Sequence, residues 1–90
     1  MGFEKAQVVR SLRGRDKGRL YCILAVQGEV LVLSDGKRKR VSAPKRKNVR
    51  HAVYVGSMEH PAAQLIRAGA PVGNGQLRRY LAAVRDKMEV

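Results

Sequence analysis

RGRDKGRLYCILAV, residues 13–26, decides how the chain is read. It is a charged turn bracketed by Gly14 and Gly18 that opens directly into an uninterrupted apolar run. Glycines at both ends supply the positive φ angles or close backbone approach that a tight reversal requires. Asp16, the only acid in the turn, is expected to order it by accepting backbone hydrogen bonds. The apolar run from Leu20 is rich enough for a central strand, and residues 7–13, with Val8, Val9 and Leu12, read as a strand before the turn.

Working outward, residues 20–26 and 30–33 pair as a hairpin around Gln27-Gly28-Glu29. Both are apolar at nearly every position, whereas a half-solvated sheet alternates, so this sheet is expected to be covered on both faces. Ser34-Asp35-Gly36 carries a turn signal, after which residues 37–43 are expected as a fourth strand ended by Pro44. Lys45-Arg46-Lys47-Asn48 reads as a basic loop and residues 49–55 as a last strand. Five strands of this spacing describe a small barrel.

The chain then changes character. Residues 60–68 are either a short helix opened by Pro61 or an irregular connection, and residues 69–75 form a Gly-, Pro- and Asn-rich loop. From Asn74, a candidate cap, Leu77, Tyr80, Leu81, Val84 and Met88 recur at helical spacing. That helix is the expected cover for the outer face of the sheet. The division is thus a barrel over 1–56, a connection over 57–73 and a helix over 74–90, all in one domain.

The barrel half resembles a known family. Val9, Gly14-Arg15-Asp16-Lys17-Gly18, the run to Val26, residues 30–33 and Asp35-Gly36 are similar to a KOW motif of the GRDKG type. Residues 44–51, PKRKNVRH, are similar to the basic strand entry that closes the domain in that family. The GRDKG type occurs in single-KOW large-subunit ribosomal proteins of archaea and eukaryotes and in short stand-alone bacterial relatives. The resemblance implies a mainly β fold, a five-stranded SH3-like barrel with, here, a C-terminal helix. It also implies binding to RNA, ribosomal RNA of the large subunit above all, beside neighbouring ribosomal proteins, with a monomer expected outside such an assembly. KOW domains also dock on the transcription machinery, so a protein-interaction module is the alternative, with Leu65, Ile66 and Val72 as the apolar patch that it would use. A general nucleic-acid coat, with no preference between RNA and DNA, is a third reading.

Composition points the same way. Ninety residues bury only ~60–65% of the unfolded surface, enough for one core. Nineteen Lys and Arg against seven Asp and Glu give a formal charge of +12, and a polyanion is the partner that best accounts for tolerated self-repulsion. A membrane surface fits less well, because the chain has no Trp and a single Phe to anchor an amphipathic helix. No apolar run is long enough to span a bilayer or to serve as a signal segment, which leads to a cytoplasmic expectation.

Eight Lys or Arg lie between Lys37 and His51, and no acid occurs between Asp35 and Glu59. Charge runs are usually solvated surface, but this one is threaded between strands that hold it in place. The candidate RNA-binding set is Arg13, Arg15, Lys17 and Arg19 from the first turn with Lys37, Arg38, Lys39, Arg40, Lys45, Arg46, Lys47, Asn48, Arg50 and His51. Gly14, Asp16, Gly18, Asp35 and Gly36 are assigned to shaping the turns. Of the tyrosines, Tyr21 and Tyr80 suit packing, and Tyr54 suits base stacking. No helix-turn-helix or zinc-finger spacing is present, so structured RNA held through its backbone is the better match.

Catalysis finds little support. Cys22 sits in an apolar strand as a structural thiol, His51 and His60 lack companions at metal-ligand spacing, and the carboxylates are scattered. No metal, cofactor or enzymatic activity is expected.

Overall fold

The computed structural model describes residues 2–88. It is mainly β: strands β1 (Val8–Ser11), β2 (Leu20–Gln27), β3 (Val30–Ser34), β4 (Lys45–Asn48) and β5 (Ala52–Gly56), followed by helices α1 (Pro61–Arg67) and α2 (Asn74–Met88). The strands form one antiparallel sheet in the order β4-β3-β2-β1-β5. A 3-10 turn over Val49–His51 joins the two outer strands, so the sheet curls on itself in the SH3-like manner. Residues 89 and 90, included in the sequence-based helix, lie outside the described residues.

The sheet is covered on both faces, as its unbroken apolar strands require. Val9, Tyr21, Ile23, Leu31, Leu33 and Ala52 fill the concave side. Val8 and Cys22 point the other way, against Ala62, Ala63 and Ile66 of α1 and Leu77, Tyr80, Leu81 and Val84 of α2. The period-2 alternation of β1 and β2 thus supplies two cores at once. Burial pushes the Cys22 thiol up to about 12, consistent with an inert packing residue. Residues 60–68 resolve into the helical alternative, with His60 Nδ1 accepting from the Ala62 amide at 3.1 Å.

Three sequence expectations are corrected. The fourth strand is Lys45–Asn48, not residues 37–43. Its apolar positions are replaced by Lys45 and Lys47, which turn inward towards a carboxylate, so no hydrophobic pattern marks it. Residues 35–44 form a loop instead. The last strand starts only at Ala52, because the Asn48 side chain accepts the Arg50 amide at 2.9 Å and winds residues 49–51 into the 3-10 turn. β1 stops at Ser11, whose hydroxyl lies 3.0 Å from the Arg13 carbonyl and turns the chain.

Asn74 does not cap its own helix. Its Oδ1 accepts the Val41 amide at 2.9 Å, while Gln76 Oε1 takes the Gly73 amide at 2.8 Å. The loop over residues 35–44 is therefore seated on the first turn of α2. Gly36, at φ +72°, is what permits this approach, since a Cβ there would meet the Asn74 carbonyl oxygen.

Candidate nucleic-acid interface

The turn over residues 14–18 is built as its glycines require, with Gly14 and Gly18 both at φ +89°. Its amides are closed by other backbone groups: Lys17 N to Gly14 O, Arg19 N to Asp16 O and Gly18 N to Ser11 O. The Asp16 carboxylate is thus free for side chains, contrary to the expectation that it would accept backbone hydrogen bonds. It takes the Ser11 hydroxyl at 2.9 Å and faces the ammonium groups of Lys47 at 3.4 Å and Lys45 at 3.5 Å. Burial alone would raise its pKa. The hydroxyls of Ser11 and Tyr21 and the two ammonium groups outweigh that and hold it at about 2. Burial, with the Asp16 charge added, moves the Tyr21 phenol the opposite way, up to about 12.

Lys47 is accordingly a structural cation. Its side chain is 8% exposed, and it also donates to the Arg13 carbonyl at 2.9 Å. A phosphate could recruit it only by stripping Asp16 of one of its two ammonium partners. Asn48, another candidate contact, is occupied with capping the 3-10 turn and with Arg50 Nε at 3.4 Å.

The loop over residues 35–44 presents Lys37, Arg38, Lys39 and Arg40, all exposed, on an ordered frame. Asp35 Oδ1 accepts the Lys37 and Lys39 amides, each at 2.9 Å, and Ser34 bridges the Gly36 amide and the Lys39 carbonyl. The backbone that carries the four like charges is thereby held in one conformation.

From this loop a basic band runs in two directions. Arg15, Arg38, Lys39 and Lys45 meet Arg19 around a cavity of about 230 Å³ with Asp16 and Tyr21 in its wall. Arg19 also borders a larger cavity of about 390 Å³, shared with Arg10 of β1, Lys37 of the loop, and Arg78 and Arg85 of α2. Two of those arginines are held by backbone carbonyls: Arg10 donates to Gly18 O at 2.9 Å and Arg78 to Gly36 O. Arg10, Arg78 and Arg85 stand outside the sequence-derived set. The i, i+7 spacing of Arg78 and Arg85 on the polar face of α2 was the available signal, but only the fold brings that face beside the turn.

Not every candidate joins this band. Arg46 bonds Gln27 at the far end of the β2–β3 hairpin, Arg50 lines a separate cavity with Phe3, Val26 and Gly28, and His51 gives its carbonyl to the Leu12 amide. The expected apolar patch is also displaced: Ile66 is buried and Leu65 and Val72 are half-buried. The large apolar side chains exposed among the described residues are instead Leu12, Val26, Val53, Tyr54 and Met88, of which Val53 and Tyr54 line a cavity of about 450 Å³ with Phe3. Among the described residues no three His, Cys, Asp or Glu side chains are gathered to hold a metal, and no helix is long and apolar enough to cross a membrane.

No family model matches the chain, and no curated protein matches it. Among solved structures it is similar to a chain in the crystal structure of the MjSpt4:Spt5 complex in conformation B, at 23% identity and a TM-score of 0.56. The likeness is one of fold. It covers 66% of this chain and 41% of that one, so this protein corresponds to less than half the length of its structural neighbour. A mainly β fold of the SH3-like kind is what the two have in common.

Proposed function

We propose that this chain is a non-enzymatic, cytoplasmic RNA-binding protein of the KOW type that grips structured RNA through its phosphate backbone. The observation that carries it is the basic band, in which cations from β1, the first turn, the loop over 35–44 and α2 converge around two adjoining cavities. Residues so far apart in sequence gather at a cost in mutual repulsion, and a polyanion offsets that cost. The GRDKG-type resemblance supports ribosomal RNA of the large subunit as the target. Sedimentation of a native lysate through a sucrose gradient tests this target: co-migration with the large subunit that is lost on nuclease treatment is expected. A protein that stays at the top of the gradient at low salt would remove the ribosome as its site.

A second reading, a protein-docking module, is favoured by the exposed Val53–Tyr54 surface beside Phe3. It also draws on the neighbouring fold having been seen in a complex of two proteins. Association that survives nuclease and is lost in Val53→Asp would favour it over RNA.

A further inference from the structure

We infer that the cavity between α2 and the first turn is a slot for a single unstacked nucleotide, so that the protein prefers RNA carrying a bulge over an uninterrupted duplex. This rests on the RNA-binding proposal above and deepens it. A regular duplex presents its phosphates on a convex surface, for which a flat row of cations is sufficient. Here the cations stand around a hollow of about 390 Å³, within the size range of small-molecule sites, ~300–1,000 Å³.

The hollow is not lined by charge alone. Leu20, Leu81 and Ala82 contribute an apolar lining, which a phosphate would leave desolvated without gain and a base plane would cover. Arg10 and Arg78 are tied to the carbonyls of Gly18 and Gly36, so two guanidinium groups are positioned before any ligand arrives. A positioned guanidinium stacks on a base as readily as it pairs with a phosphate. Asp35, which also lines the hollow, is the further sign: its Oδ1 serves the Lys37 and Lys39 amides, which leaves Oδ2 for a ligand. A carboxylate at the edge of a phosphate site repels its ligand, whereas every base carries an N–H donor on its pairing edge that a carboxylate can accept. Phosphates on either side of the extruded nucleotide would then meet Lys37 and Arg85 at the rim.

The test compares two RNA hairpins, one with a single-nucleotide bulge and one fully paired, by fluorescence anisotropy at fixed salt. Wild-type protein is expected to bind the bulged hairpin about tenfold more tightly. Ala82→Leu, which fills the slot without altering charge, is expected to bring the bulged hairpin down to the affinity of the paired one. Equal binding of the two hairpins by the wild type, or a preference that persists in Ala82→Leu, would overturn the proposal. Binding to neither RNA would overturn it together with the RNA-binding reading, an outcome distinct from equal binding to both. A readout independent of any variant is 2-aminopurine placed in the bulge. Its emission should change when wild-type protein is added, and an unchanged emission in the bound complex counts against the slot.

Discussion

Asp16 shows how one carboxylate can hold a barrel seam. Its pKa is lowered from 3.8 to about 2, so the folded state favours the ionised form by about 2 kcal/mol. Because the folded value is depressed, that contribution is complete above the ordinary value and is lost as pH falls from about 4 through about 2. Acid unfolding of the wild type should therefore steepen in that window, and Asp16→Asn should be less stable at neutral pH and lack that part of the acid dependence. The two lysines of β4 that flank Arg46 are unlike it for the same reason. Lys47→Ala leaves Asp16 with one ammonium partner instead of two and the Arg13 carbonyl without its donor, and is expected to cost about 1–3 kcal/mol. Arg46→Ala removes an exposed charge and should stay within ~0.5 kcal/mol. Urea melts of the two variants separate these outcomes.

At the scale of elements, the seat of the 35–44 loop on α2 depends on one glycine. Gly36→Ala places a methyl against the Asn74 carbonyl at a positive φ and is expected to destabilise by about 1–3 kcal/mol. Gly28→Ala, also at positive φ but with open space around it, should cost no more than ~1 kcal/mol. Comparing the two by thermal unfolding separates the docking contact from backbone strain.

Elements also show what could be read from residues alone. β2 and β3 were legible because nothing but a two-sided core explains LYCILAV followed by VLVL, and α2 because Leu77, Tyr80, Leu81 and Val84 keep its period. β4 was not legible, since the inward positions of KRKN are lysines whose burial depends on a carboxylate 29 to 31 places earlier in the chain. The loop over 35–44 misled for a related reason: Asp35-Gly36 has the residues of a hairpin turn, yet here the glycine serves contact with a helix nearly forty positions away. The band itself was half legible. Its loop cations announce themselves as a run, while Arg10, Arg78 and Arg85 enter it only through tertiary packing.

For the whole molecule, the formal charge of +12 sets the character of any binding to nucleic acid. Each phosphate neutralised contributes a slope of ~0.7–0.9 in log affinity against log salt. If about six cations of the band engage, affinity should fall roughly a thousandfold between 50 and 200 mM salt. Reversing Arg78 and Arg85 together to Glu should flatten that slope as well as weaken binding, whereas reversing Arg50, which lies outside the band, should leave the slope nearly unchanged. Titrations at four salt concentrations distinguish the two.

The loop over residues 35–44 is fastened to α2 at two places, Gly36 and Val41, and both fastenings fall on or beside Asn74. Between them the chain makes an outward bow whose ends are clamped to the same helical turn. Inside the bow Lys39 is tied to Ser34 at the end of β3 and to Asp35, so the length of the segment is fixed while the side chains of residues 37–40, all exposed, are not. The molecule thus offers a place where one set of side chains can be exchanged for another over a backbone that is held from both ends.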